Sequence, residues 1–297
     1  MPVTTPRAVF VTRESDYEQL LARHATQGQA RFFLQTRGQS LDLLEVRHHQ
    51  LQHTVKAARA AVPPEWRQAM VRRADLDRFL FAPEDVVVAI GQDGLVANVA
   101  KYLSGQPVLG INPSPDLYDG VLVRVPLDRL ARLLPPSATG EVDAEHRTMV
   151  EAVLDGGERL LALNEIFIGH RSHQSARYTI ATAKAHEDQS SSGLIVASGT
   201  GATGWARSIM QATHAEMPLG AEERAVGYFV REPFPSIATG TTLIHGRVTA
   251  TPLHVTSRMN DGGVIFADGI EQDFLAFDWG RDVAVGPAAQ ALVLVAG

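Results

Sequence analysis

Asp85-Val86-Val87-Val88-Ala89-Ile90-Gly91-Gln92-Asp93-Gly94 is the stretch that decides the fold. Val86 to Ile90 is an unbroken apolar run, and it predicts a strand buried on both faces, as parallel strands are. Two glycines then bracket a carboxylate. Leu95 to Leu103 follows with helical spacing. Open α/β sheets bind ligands beyond the C-terminal ends of their strands. At such a place glycine lets a ligand's phosphates approach the backbone, and an acid is able to take a proton from a hydroxyl. The plainer reading is an ordinary strand-to-helix turn in which Asp93 caps the helix.

Working outward, strand and helix patterns alternate on both sides of this stretch. Ala8-Val9-Phe10-Val11 predicts a short strand, and Ser15-Asp16-Tyr17-Glu18 has the spacing of a capping box opening a helix toward His24. Arg31-Phe32-Phe33-Leu34 predicts a second strand. Leu41, Leu44, His48, Leu51, Val55, Ala58 and Val62 recur at three and four residues, the signature of a long amphipathic helix that Pro63-Pro64 ends. Val108-Leu109-Gly110-Ile111 is a further strand. Alternating elements imply a parallel sheet with helices on both faces.

The pattern changes after Pro135-Pro136-Ser137-Ala138-Thr139-Gly140. Short strand-like runs dominate from Arg159 onward: Ala176, Tyr178, Ile180 and Thr182 on one face, then the buried runs 193–197, 225–230 and 291–295. Turn residues such as Asn260-Asp261-Gly262-Gly263 separate them. One helix is expected near Trp205 to Ala215. The expected organisation is an α/β domain over residues 1–123 and a β-rich domain over 124–297.

The chain has 297 residues, a formal net charge of −6 and no cysteine. The acidic excess, with no long basic run, argues against nucleic acid as a partner. Without cysteine there are no disulfides, thiolate nucleophiles or Cys-type zinc sites, which fits a cytoplasmic location. No apolar stretch is long enough to cross a bilayer. Met1-Pro2-Val3-Thr4-Thr5-Pro6-Arg7 lacks the apolar core of a signal peptide. His48 and His49, and the looser set His170, His173 and His186, lack metal-ligand spacing, so no protein metal ligands are assigned.

Two further segments carry chemistry. In Leu161-Ala162-Leu163-Asn164-Glu165-Ile166-Phe167-Ile168-Gly169 a polar pair interrupts an apolar strand. Burying both groups without partners costs a few kcal/mol (roughly 2–7 per amide-like group). They therefore sit at a strand end or bulge, or meet a ligand. An amide beside a carboxylate suits the two hydroxyls of a ribose. In Ser190 to Trp205 a strand runs into Ser198-Gly199-Thr200-Gly201-Ala202-Thr203-Gly204 and then a helix. Such a loop offers backbone N–H groups and hydroxyls to a phosphate or ribose. It is not a Walker A loop, because no lysine follows the glycines. A flexible connector is the plainer reading.

Taken together, these segments resemble the NAD kinase family. Asp93 stands in the family's Gly-Gly-Asp-Gly motif, Asn164-Glu165 matches its Asn-Glu motif, and Thr200 to Trp205 matches its Thr-Gly-Ser-Thr-Ala-Tyr run, in the family's order. Ile111-Asn112-Pro113-Ser114-Pro115-Asp116, Ser191-Ser192-Gly193-Leu194 and Phe229-Val230-Arg231-Glu232-Pro233 are most similar to the mitochondrial-type branch. The resemblance implies a two-domain fold and transfer of a phosphoryl group to the adenosine-ribose 2′-hydroxyl of NAD, giving NADP. ATP or inorganic polyphosphate would be the donor, with Mg²⁺ or another divalent cation. It implies Asp93 as general base, Gly91 and Gly94 along the phosphates, and Asn164 and Glu165 on ribose hydroxyls. Thr200, Thr203, Gly204, Trp205 and Ser208 would line the dinucleotide pocket. A homo-oligomer, with a dimer favoured, is implied as well.

The chain departs from the motif at two places. Gln92 adds a side chain where the family has glycine, and a left-handed backbone there would be strained by about 1–2 kcal/mol. Leu95 removes a hydroxyl. Ser192 stands where many members have an acid. A non-catalytic NAD(H)-binding protein that has lost transfer is the alternative these changes raise. A lipid kinase of related fold is the third reading, disfavoured by Asn164-Glu165.

Overall fold

The computed structural model describes residues 5–297, so Met1–Thr4 of the leader reading lie outside the described residues. The chain forms two compact units, residues 1–145 with 293–297, and residues 146–292.

The first unit opens with β1 (Arg7–Thr12), three helices α1 (Asp16–His24), α2 (Gln27–Gln35) and α3 (Leu41–Ala60), and β2 (Arg67–Arg72). β3 (Asp85–Ile90), α4 (Asp93–Ala100), β4 (Pro107–Ile111) and α5 (Leu130–Thr139) follow. The strands pair in parallel in the order β2-β1-β3-β4. Val293 and Leu294 add a parallel partner beside β4. Every residue of β3 is buried, as expected for a strand covered on both faces. Phe10, Val86, Val88, Ile90, Leu109 and Ile111 form one core with Ala58 of α3 and Leu130 and Leu134 of α5. α4 packs on β1, β3 and β4. Asp85 is buried, and Arg7 grips it with two bonds of 2.7 and 2.6 Å, aided by the Ala82 N–H.

Ser15 and Glu18 form the capping box. Two expectations change. Arg31 to Leu34 is not a strand; it lies in α2, where Ala30 and Leu34 bury four residues apart and Phe32 is 70% exposed. Pro135 and Pro136, where the sequence pattern changes, lie inside α5, which Gly140 ends in the left-handed conformation, φ 75°. Burial of Leu130 and Leu134 in the first core holds this segment, so residues 124–145 fall in the first unit.

The second unit is nearly all antiparallel. Its strands are β5 (Ala144–Leu154), β6 (Arg159–Ala162), β7 (Glu165–His170), β8 (Ala176–Ala181), β9 (His186–Ser191) and β10 (Leu194–Ala197). After α6 (Trp205–Thr213) come β11 (Val226–Val230), β12 (His245–Val248), β13 (Leu253–Ser257), β14 (Gly263–Ala267), β15 (Leu275–Ala276) and β16 (Asp282–Val295). One six-stranded sheet runs β12-β11-β10-β7-β14-β15. β13 pairs with both β8 and β16, and β8 with β9. Ile166, Ile168, Leu194, Val196, Tyr178, Ile180 and Val255 share one large core. The alternate residues Phe167, Ile195, Phe229 and Phe266 point the other way, where α6 packs with Ala206 and Ile209.

Candidate functional site

Asp93 is the first residue of α4, not its cap. Gln92 occupies the cap position with φ −100° and ψ 168° and makes no side-chain cap bond. That backbone is extended, so the left-handed strain raised by the sequence does not arise. Leu95 is buried, 3% exposed, and fills core space where a hydroxyl would need a partner. The Asp93 carboxylate turns to a neighbouring segment. Oδ2 accepts from Val121 N–H at 3.0 Å, and Oδ1 accepts from Leu122 N–H at 2.8 Å and Val123 N–H at 3.1 Å. A carboxylate has about four lone-pair positions, so the three amides leave one open, on Oδ2. Gly110 keeps that segment close: a Cβ on it would lie 2.1 Å from the Leu122 carbonyl oxygen. Gly91 N–H donates to Ile111 O at 3.0 Å. A Cβ on Gly94 would meet nothing within 4 Å, so the start of α4 is open.

In the second unit, Asn164-Glu165 and the Ser198–Trp205 loop come together. Ser198 is the clasp. Its N–H donates to Asn164 O at 2.9 Å, its hydroxyl donates to Leu163 O, and it accepts from Gly201 N–H at 3.2 Å. A Cβ on Gly201 would lie 2.1 Å from the Asn164 carbonyl oxygen, so only glycine fits this approach. Buried Arg147 donates to Thr200 Oγ1 at 3.2 Å. Thr203 Oγ1 donates to Thr200 O at 2.9 Å, closing the 3-10 turn that leads to Gly204. Trp205 stacks on Phe167, centroids 6.1 Å apart and planes within 6°, with Arg231 over its ring at 5.1 Å. Ser208 Oγ donates to Trp205 O at 2.8 Å on an exposed part of α6.

Asp268 was not singled out from the sequence. It holds Leu163, Asn164 and Glu165 as Asp93 holds 121–123. Its carboxylate accepts from their N–H groups at 2.9, 2.7 and 3.3 Å. It does so from a strained position, φ 49°. Only the Asp268-Gly269 pair, a common turn signature, marks it in the sequence.

Burial pushes the Glu165 carboxyl up to about 7, and the charge of Asp268 adds to the effect. The group is thus poised between neutral and charged near physiological pH. The folded state holds this proton more tightly than the unfolded chain, so stability falls as pH rises from the ordinary value of 4.5 to about 7. Glu165→Gln is expected to remove that fall, and Asp268→Asn to shift its upper end to lower pH. Thermal melts across pH 4–8 check both, and an unchanged slope in Glu165→Gln counts against the assignment.

Among the described residues, no three His, Cys, Asp or Glu side chains are grouped to hold a metal ion. The described residues thus offer no resident cation site of their own. Among the described residues no helix is long and apolar enough to cross a membrane.

No family model matches the chain. Its sequence is similar to curated NAD kinases. It is 31% identical to that of Acidithiobacillus ferrooxidans over 139 residues, 43% of this chain and 45% of that protein. The enzyme of Chlorobaculum tepidum is 30% identical over 128 residues, 42% of this chain and 44% of that protein. The chain thus spans less than half the length of the curated relatives it matches. The fold matches nearly throughout. Yeast NADH kinase, solved with NADH, superposes with a TM-score of 0.61 at 14% identity, covering 99% of this chain and 84% of that one. An NAD kinase from Archaeoglobus fulgidus, solved with ATP, gives 0.56 at 17% identity, covering 98% and 93%. The chain therefore has the fold of these two kinases.

Proposed function

We propose that the protein is an NAD kinase that phosphorylates the adenosine-ribose 2′-hydroxyl of NAD to give NADP. The observation that carries this reading is the clasped pair of segments in the second unit. Asn164-Glu165 is held beside a Gly/Thr loop by Ser198, Gly201 and Asp268. That is a rigid amide and carboxylate next to a hydroxyl-rich turn. Asn164 and Glu165 hold the ribose hydroxyls, and Trp205 offers its ring to the dinucleotide.

Asp93 takes the hydroxyl proton on the open lone pair of Oδ2. The 2′-oxygen bonds to the terminal phosphorus of the donor as the bond to its bridging oxygen breaks. With ATP the leaving group is ADP. Such transfer needs mainly positioning and charge neutralisation. A divalent cation is proposed to arrive with the donor's phosphates. The fold shared with an archaeal NAD kinase solved with ATP supports ATP as donor, and polyphosphate as an alternative donor and the mitochondrial-type branch belong to the same proposal.

Purified protein is to be incubated with NAD or NADH, Mg²⁺, and ATP or polyphosphate. Formation of NADP or NADPH with at least one donor is expected; none with either donor overturns the reading.

A further inference from the structure

In the order β2-β1-β3-β4 the chain leaves β1 toward β2 on one side, while β3 lies on the other. Strand order therefore reverses between β1 and β3. Crevices at such switch points are where open α/β sheets bind ligands. A pocket of about 200 Å³ lies here, lined by the loops after β1, β3 and β4 and by α3. Its polar lining comes from two cations, Arg13 and Arg47, one acid, Asp16, and the uncharged Ser15, Gly91, Gln92, Ser114 and Tyr118.

The chemistry of this lining is anionic recognition. Arg47 Nε is buried with no hydrogen-bond partner. Leaving a buried donor of a charged group unmet is unfavourable, so the atom calls for an acceptor. Arg13 has only a loose pairing with Asp16 at 3.8 Å, and both side chains are substantially exposed. Ser114 is fixed by Gln50 at 3.2 Å and by its own N–H to Asn112 Oδ1 at 2.9 Å. Gln92 offers an uncommitted amide, since it makes no cap bond. Guanidinium groups match phosphate oxygens with paired donors.

Size narrows the ligand. A pocket of about 200 Å³ is below the roughly 300–1,000 Å³ that encloses a whole small-molecule ligand. It suits a phosphate chain. A second cavity of about 430 Å³ shares Arg13 and Leu51 with it and is lined by Val55 and Met70, by Arg72, and by the acids Glu14, Glu18 and Asp75, so it suits an uncharged or hydrogen-bond-donating group rather than further phosphates. That leaves room for whatever the chain is attached to.

We propose that Arg13 and Arg47 bind the phosphate chain of the phosphoryl donor at the β1/β3 switch point, beside Gly91 and Gln92. This rests on the phosphoryl-transfer reading and adds to it a donor subsite built from α3 and the loop after β1.

The test is calorimetric titration of the full chain with inorganic tripolyphosphate, for the wild type, Arg47→Gln and Arg13→Gln. Wild-type binding is expected, weakened at least tenfold in each variant. Arg13 is exposed enough that its variant folds normally, which a thermal melt verifies. In turnover, KM for whichever donor supports NADP formation, ATP or polyphosphate, is expected to rise at least tenfold in Arg47→Gln. KM for NAD is expected to stay within twofold. A wild type that does not bind tripolyphosphate, or variants that bind it as the wild type does, overturns the proposal. A wild type that binds tripolyphosphate in an Arg47-dependent way yet forms no NADP supports the subsite and counts against the kinase reading alone.

Discussion

Asp93→Asn is expected to lower phosphoryl transfer by about 10²–10⁴, the range of general-base contributions, with little loss of stability. The geometry separates the two effects. An asparagine carbonyl oxygen is able to keep the Leu122 and Val123 amides that Asp93 Oδ1 now holds at 2.8 and 3.1 Å. Only the bond from Val121 N–H, at 3.0 Å on an exposed residue, is lost. That costs about 1 kcal/mol. Asp93→Ala is different, because it leaves two amides of buried residues unmet, at about 1–3 kcal/mol each. Both variants are expected to lose activity, but only the alanine variant is expected to melt several degrees lower. If Asp93→Asn kept wild-type turnover, Asp93 would be an anchor for residues 121–123 and nothing more.

Gly201→Ala is expected to weaken dinucleotide binding at least tenfold and to destabilise the second unit by about 1–3 kcal/mol, the usual cost of overpacking. The added Cβ would sit 2.1 Å from the Asn164 carbonyl oxygen and 2.5 Å from its carbon. Both are backbone atoms, so either the loop or the start of β7 has to move. Moving the loop breaks the Ser198 clasp. Moving β7 pulls Asn164 and Glu165 from the amide grip of Asp268. A fluorescence titration with NAD, read alongside a thermal melt, checks the prediction. Unchanged affinity in a folded variant would show that this approach does not shape the dinucleotide pocket.

Much of this was legible in the sequence, and the omissions have physical reasons. β3 announced itself because a strand buried on both faces needs no alternation. α1 did so through the Ser15–Glu18 box. α2 was misread because Phe32-Phe33-Leu34 is a short apolar run, and such runs do not separate strand from helix. Only the packing shows that Phe32 faces solvent. β2 escaped because it is an edge strand with Val71 as its buried residue.

At the candidate site, the polar residues with unusual settings were visible: Asp93, Asn164, Glu165 and the Thr200 loop. The residues that hold them were not. Asp268 acts on a segment more than a hundred positions earlier, and nothing local in the sequence signals that. Arg147 and Arg47 look like ordinary surface cations until their burial is known. The doubt attached to Gln92 also needed a backbone angle to resolve.

The most direct test of the central claim is the position of phosphate on the product. Wild-type protein and Asp93→Asn are to be incubated with NAD, Mg²⁺ and each donor, and the product examined by phosphorus NMR. The expected result is a new monophosphate on the adenosine-ribose 2′-oxygen with the wild type, and its loss in the variant. A wild type that binds NAD but transfers no phosphoryl group from ATP or polyphosphate would contradict the account.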